Sequence, residues 1–196
     1  MKLILDVIVN RGKENIKEGG THGENSEGEC RVEALERIMN LDIVLVCGLP
    51  GSGKSHFSRE FFQDSGRDRV NRKENHRMLY EMIHFGKKWS EKEFDVLDES
   101  LVKHVERRII EHLLQRNQKV LIDNTSVSAS SRKTYVDIAQ KMHKTIGVIF
   151  LNTPTLTCLE RNRGREDPVP ERVISNLATA IDYPKAEEGF KEVIIM

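Results

Sequence analysis

Gly48 to Ser55 reads GLPGSGKS, and every fixed position of a glycine-rich phosphate cradle is filled. Gly48, Gly51 and Gly53 let the backbone turn so that successive N–H groups, that of Ser52 among them, face one concavity. A helix beginning near Lys54 adds the positive end of its dipole at the same point. Lys54 has the reach to meet β- and γ-phosphates, the Ser55 hydroxyl suits the shell of a Mg²⁺ ion, and His56 follows in the first helical turn. The apolar run Ile43–Cys47 before the loop and the helical pattern Lys54–Gln63 after it supply the strand–loop–helix context such a cradle needs. No NKxD pattern for reading guanine is present, since Asn71-Arg72-Lys73-Glu74 lacks the aspartate. ATP with Mg²⁺ is the cofactor pair these residues imply.

Three other segments carry polar residues where open α/β sheets place chemistry. In VNRKENHR (70–77), Glu74 and Arg77 are three apart and share a helix face. A carboxylate there can take a proton from an acceptor hydroxyl while the arginine clamps an anion; a solvated ion pair is the plainer use of the same spacing. In VLIDNTSVSASSR (120–132), an apolar strand ends in Asp123, which suits magnesium or its waters. Asn124 and Thr125 then fall at the strand tip, beside the acceptor, or serve only as turn residues, and Ser128 fits a helix N-cap. In ERNRGRED (160–167), Arg161, Arg163 and Arg165 alternate around Gly164, and Gly164 and Pro168 interrupt any helix. Such a cluster suits a lid whose mutual repulsion is offset when a triphosphate binds.

The elements that must hold these residues follow from periodicity. Short strands are expected at Ile43–Cys47, Arg69–Asn71, Val120–Ile122 and Thr145–Leu151. Helices are expected at Lys54–Gln63, Glu74–Phe85, Ala129–Met142, Thr155–Asn162 and Pro170–Ala180. Leu97, Leu101, Val105, Ile109 and Leu113 mark the buried stripe of a further long helix. The β–α alternation gives an α/β fold with a mostly parallel sheet and helices on both faces, and the GLPGSGKS cradle within it points to the P-loop NTPase, nucleotide kinase-like kind. Residues 1–40 differ: Leu3–Val9 is an apolar run, Gly12–Glu29 reads as a loose linker, and Arg31–Asn40 has helical spacing. The reading is an appendage over 1–40 and a catalytic domain over 41–196, with an arginine lid near 161–168.

Composition narrows the class further. The 196 residues carry 31 basic and 31 acidic side chains, so net charge selects no partner, although 67–92 holds eight Lys or Arg against four acids. Cys30, Cys47 and Cys158 form neither a disulfide framework nor a zinc motif, which places the chain in the cytoplasm, with Cys47 as a small buried hydrophobe. No apolar run approaches membrane-spanning length.

Taken in order, GLPGSGKS, KENHR, IDNTSVSASSRKTY, ERNRGREDPVPERVI and YPKAEEGF resemble the 5′-hydroxyl polynucleotide kinase branch of the P-loop kinases over about residues 43–196. Related zeta-toxin-like and predicted-kinase-like enzymes share parts of the series. The resemblance implies that Glu74 stands at the family's general-base aspartate, one methylene longer, and that Arg77 holds an acceptor phosphate with help from Arg72 or Lys73. A second register pairs Asn71-Arg72 with the family's Asn-Arg and sets Lys73 in the aspartate's place. Asp123 matches the acid of the acceptor pocket, Arg132 an arginine on the following helix, and Arg163 and Arg165 the lid arginines on the donor phosphates. The implied activity is transfer of the ATP γ-phosphate to a 5′-hydroxyl of RNA or DNA, with Lys54, Glu74, Asp123 and Arg163 catalytic. Two alternatives stay open: a kinase of a small hydroxyl metabolite or tRNA-linked amino acid, and a non-catalytic ATP-binding module acting through a protein partner that the sequence does not name.

Overall fold

The computed structural model describes residues 33–196. The run Leu3–Val9 and the stretch Gly12–Glu29 lie outside the described residues. A first helix, α1, covers 33–40, and five strands follow: β1 (Ile43–Gly48), β2 (Arg67–Val70), β3 (Lys119–Asp123), β4 (Ile146–Leu151) and β5 (Glu192–Ile195). They form one sheet in the order β2-β3-β1-β4-β5, and every pairing is parallel. The intervening helices are α2 (Lys54–Phe62), α3 (Arg72–Ile83), α4 (Val96–Gln115), α5 (Ala129–Lys141), α6 (Thr155–Arg163) and α7 (Glu171–Thr179). The chain leaves β1 towards β3 and β2 and later returns on its other side to β4 and β5, so the carboxyl end of β1 is the switch point where such sheets bind ligands.

β1 is buried along its whole length because both of its faces are covered. Ile43, Leu45 and Cys47 face α4 and α5, where Ile110, Leu114, Val136 and Ile138 are buried. Val44 and Val46 face the other layer, with Phe62 of α2 and with Leu35 and Ile38 of α1. Helix α1 is therefore part of this core and not a tether. Gly147 is needed beneath it, since a Cβ there would lie 2.6 Å from Ile38 Cγ1. Burial pushes the Cys47 thiol up to about 12, consistent with an inert core residue.

Three expectations require correction. The fully buried line of α4 is Val102, Glu106, Ile110 and Leu114, one residue on from the apolar stripe read in the sequence; of that stripe Ile109 and Leu113 are half-buried against the core and Leu101 is exposed. A carboxylate occupies one position of the true stripe, which hid it from a hydrophobic pattern. Strand β5 was not anticipated; it is a four-residue strand that, among the described residues, pairs only with β4. Arg132 is not an acceptor-side residue. It is fully buried, with Nε and Nη2 on Glu188 (2.8 and 2.6 Å) and Nη1 on the carbonyls of Asp182 (2.7 Å) and Val127 (3.1 Å). Its guanidinium is engaged by the segment that leads into β5 and by the carbonyls just ahead of α5. Glu188 precedes Gly189, whose φ of 110° and close approach to Val136 (2.8 Å from a built Cβ) fix that segment against α5.

Replacing Arg132 with Met should lower stability by about 3 kcal/mol, the scale of breaking a buried ion pair and leaving Glu188 uncompensated. Urea unfolding monitored by circular dichroism would show it. An unchanged midpoint together with weakened acceptor binding would return Arg132 to the site.

Candidate active site

The loop after β1 is shaped by neighbours as much as by glycine. Gly48 (φ 144°) donates to Thr125 O at 2.9 Å, and a Cβ there would meet Leu151 O at 2.7 Å. At Gly51 (φ 90°) a Cβ would lie 2.3 Å from Cys158 O, so the loop is pressed against α6. Gly53 (φ 99°) precedes α2 with no side chain capping the first turn, and its open side meets only Arg161 Nη1, 3.8 Å from a built Cβ. The amide donors of that turn thus face an open, cationic concavity. Lys54 Nζ donates to the carbonyls of Gly48 (2.9 Å) and Leu49 (2.7 Å). Burial pushes its pKa down to about 8, with Asp123 opposing that shift and Arg165 adding to it. Ser52 is buried with its Oγ unpartnered, Ser55 is half-buried, and the exposed His56 imidazole turns to Glu60 at 3.3 Å. His56 can therefore serve the loop only through its backbone.

On the other side of β1, Asp123 ends β3 with no exposure to solvent. Its Oδ2 accepts from Arg69 Nη2 (2.7 Å) and Nε (3.1 Å), while Oδ1 has no hydrogen-bond partner. Arg69 Nη1 also donates to Glu74 Oε1 at 2.7 Å, so one guanidinium spans both carboxylates. Burial opposes the charge on Arg69, but its bonds to Asp123 and Glu74 prevail and raise its pKa. Asn71 caps α3, accepting from Glu74 N (3.0 Å) and donating to Asp123 O (2.7 Å). This pins the start of α3, and Glu74 with it, to the tip of β3. An orphaned buried carboxylate oxygen beside a phosphate cradle fits a hydrated Mg²⁺, which takes only one or two protein oxygens when phosphates supply the rest.

Asn124 requires correction as a substrate contact. It is buried, accepts from Arg72 N (2.8 Å), and donates to Tyr135 Oη (2.7 Å) and Glu106 Oε1 (3.0 Å). Glu106 also accepts from Arg72 Nε at 2.7 Å and from Tyr135. This closed network joins β3, α3, α4 and α5, and leaves Asn124 nothing to offer a ligand. Thr125 is half-buried, its carbonyl accepting from Gly48 N, and Ser126 beside it holds a left-handed φ of 36°.

The arginine segment divides by helical parity. α6 runs one residue further than expected, through Arg163, and stops at Gly164, its C-cap, where the sequence placed the interruption. Residues two apart on a helix point about 200° apart. Arg161 faces Gly53, while Arg163 is exposed and held by Glu171 (Nε–Oε1 2.7 Å). Arg165, just beyond the helix, lies within electrostatic reach of Lys54. The guanidiniums on the donor side are thus Arg161 and Arg165, and Arg163 is engaged elsewhere. Asp167 ends the segment on the acceptor side. It accepts from Glu91 N (3.0 Å) and pairs with Lys73 Nζ (3.0 Å) and more loosely with Arg77 (3.7 Å). Lys73 also pairs with Glu91 at 2.7 Å and lies over the Trp89 ring.

Arg69 and Glu106 were not read as site-forming from the sequence, and Arg161 and Asp167 were read only as members of the lid segment, with no contact of their own. Arg69 stood in an expected strand, and a charge alternating with Val70 on an edge strand was the available signal. Arg161 could have been found by its spacing of three from Cys158 on the loop-facing side of α6.

A family model described as "AAA domain" matches residues 43–184, which span the loop, both carboxylates and the arginine segment. The chain belongs to the AAA-domain family. This AAA domain is 26% identical over 145 residues to an L-seryl-tRNA(Sec) kinase of Methanococcus maripaludis, covering 72% of the chain and 53% of that protein. It is 27% identical over 157 residues to the bifunctional polynucleotide phosphatase/kinase of Schizosaccharomyces pombe, covering 78% of the chain and 32% of that protein. The chain therefore spans about half or less of the curated relatives it matches. Among solved structures, a chain of the Pnkp1/Rnl/Hen1 RNA repair complex superimposes with a TM-score of 0.57 at 23% identity, over 70% of this chain and 43% of that one. The fold is that of an ATP-binding P-loop kinase.

Lys54 gives a pH test of the loop. Bound phosphates favour the charged amine, so the complex holds more protons than the free protein at pH values above about 8. ATP affinity should consequently fall as pH rises through that value. Calorimetry in two buffers of different ionisation enthalpy at pH 8.5 should detect proton uptake on binding, absent in Lys54→Arg. Equal, zero uptake in both proteins would show that Lys54 does not meet the phosphates.

Proposed function

We propose that the chain transfers the γ-phosphoryl group of ATP to an alcohol hydroxyl that has no phosphate beside it, on a small or tRNA-linked acceptor. The observation that carries this reading is the state of the acceptor-side cations: Lys73 and Arg77, the groups available to clamp an acceptor phosphate, are paired with Asp167 and Glu91. The relative named as an L-seryl-tRNA(Sec) kinase points the same way.

In this account the loop amides and Lys54 hold the β- and γ-phosphates, and Arg161 and Arg165 neutralise charge on the group in transit. Mg²⁺ would be held by the Ser55 hydroxyl and the free Oδ1 of Asp123, and would supply charge neutralisation at the phosphate oxygens. Glu74 takes the proton of the acceptor hydroxyl as its oxygen bonds to the γ-phosphorus. The bond from that phosphorus to the bridging oxygen breaks, and ADP leaves. Arg69 fixes the angle of Glu74 against the donor side, so base and nucleophile meet in line.

Transfer to a 5′-hydroxyl of RNA or DNA is the second reading, favoured by the likeness to the polynucleotide phosphatase/kinase. It requires Asp167 to yield its cations to the nucleic-acid phosphate. Radiolabelled ATP with seryl-tRNA, free hydroxyl metabolites and a 5′-hydroxyl oligonucleotide as parallel acceptors separates the two. Transfer to a phosphate-free hydroxyl is expected, lost in Lys54→Ala and lowered about a hundredfold in Glu74→Gln. Strong labelling of the oligonucleotide alone would establish the second reading in its place, and no transfer to any acceptor would remove the kinase assignment.

A further inference from the structure

Lys73 and Arg77 project from the first two turns of α3, the helix that also carries Glu74. Two cations so close to a candidate base make an anion clamp, unless a carboxylate of the chain fills it. Asp167 does so from the far side of the site. Its Oδ2 lies 3.0 Å from Lys73 Nζ and 3.7 Å from Arg77 Nη2, while Oδ1 is held separately by Glu91 N at 3.0 Å. Glu91 adds a second carboxylate on Lys73 at 2.7 Å. The two oxygens of Asp167 thus have distinct tasks: one latches the arginine segment to the backbone at Glu91, and the other neutralises the clamp.

From this division we infer that Asp167 determines acceptor specificity, its carboxylate occupying the place of an acceptor anion and so favouring hydroxyls without a neighbouring phosphate. The inference rests on the kinase reading above for its biological use, but the charge competition it describes is a binding property of the chain. An incoming phosphate would have to displace Oδ2 and leave that carboxylate oxygen partly desolvated, so a phosphate-bearing acceptor meets a penalty that a neutral one does not. Because Asp167 ends the same segment that presents Arg161 and Arg165 to the donor loop, displacement would also disturb the donor side.

Asparagine at 167 separates the two tasks. Its amide oxygen still accepts from Glu91 N, so the latch remains, while the charge is lost. Trp89, the only tryptophan of the chain, has Lys73 Nζ 5.6 Å from its ring centroid, so its fluorescence reports on the clamp. With the loop filled by ADP and Mg²⁺, inorganic phosphate should bind Asp167→Asn about tenfold or more tightly than wild type, the scale expected when a charge-assisted competitor is removed. Glu166→Gln, which makes the same change in net charge one residue away, should leave phosphate affinity as it is. Adding Arg77→Ala to Asp167→Asn should reverse the gain. Asp167→Ser is the second variant if the amide destabilises the fold. Equal phosphate affinity in wild type and both Asp167 variants would overturn the inference, as would an equal gain in Glu166→Gln. Because the titration needs no turnover, it decides the role of Asp167 even if no acceptor is phosphorylated. In the labelling assay, Asp167→Asn should shift preference towards the 5′-hydroxyl oligonucleotide.

Discussion

A carboxylate shut off from water is costly unless it is bonded, and Asp123 is bonded through only one of its oxygens. Much of the acceptor side is organised around that group. Arg69 reaches it from the edge strand β2 and carries the connection on to Glu74. Asn71 binds its backbone carbonyl while capping α3, and the neighbouring Asn124 receives the first amide of the same helix. Helix α3 is thereby suspended from the tip of β3 by polar contacts, not by apolar packing alone. Glu106, with Arg72 and Tyr135, closes the network from behind. Connected polar networks of this kind fix one arrangement and resist small displacements, which is what a base held in line with a transferring phosphorus requires, and the free oxygen of Asp123 is the position left open in it.

The donor side is set by a different constraint, the contact between backbone and backbone at Gly51 and Cys158. It leaves no room for a side chain and so fixes the rotation of α6 relative to the loop. That rotation chooses which arginines of the segment can meet phosphate. Arg161 and Arg165 fall on the loop side, and Arg163 falls to Glu171. The segment then crosses to α3 and ends in Asp167. One stretch of chain consequently touches the donor cradle at one end and the acceptor cations at the other, giving the two half-sites a physical means of sensing each other.

The phosphate cradle was legible in the sequence because its glycines answer requirements that only glycine meets: positive φ at Gly48, Gly51 and Gly53, and no room for a Cβ at the first two. The central strands were legible because burial on both faces demands continuous apolar runs. Arg132 and Asn124 were misjudged for one shared reason. A residue's type states which bonds it can make, but not whether distant chain has already made them, and Arg132 meets Glu188 across a separation the sequence does not display. Glu106 was invisible as a charge within an apolar stripe. Arg163 was preferred over Arg161 because the family resemblance pointed to it, and the rotation of α6 that turns Arg161 to the loop and Arg163 to Glu171 cannot be read from the alternation of arginines.

In the proposed site the free oxygen of Asp123 faces the metal of a bound nucleotide. Electron paramagnetic resonance of Mn²⁺ in the ternary complex with ADP tests this directly, comparing wild type with Asp123→Asn. The expected result is a loss of Mn²⁺ affinity of about tenfold or more in the variant, on the scale of removing one charged oxygen contact, with metal-free ADP affinity nearly unchanged. Equal Mn²⁺ affinity in the two proteins would contradict the assignment and leave Asp123 only as the anchor of Arg69.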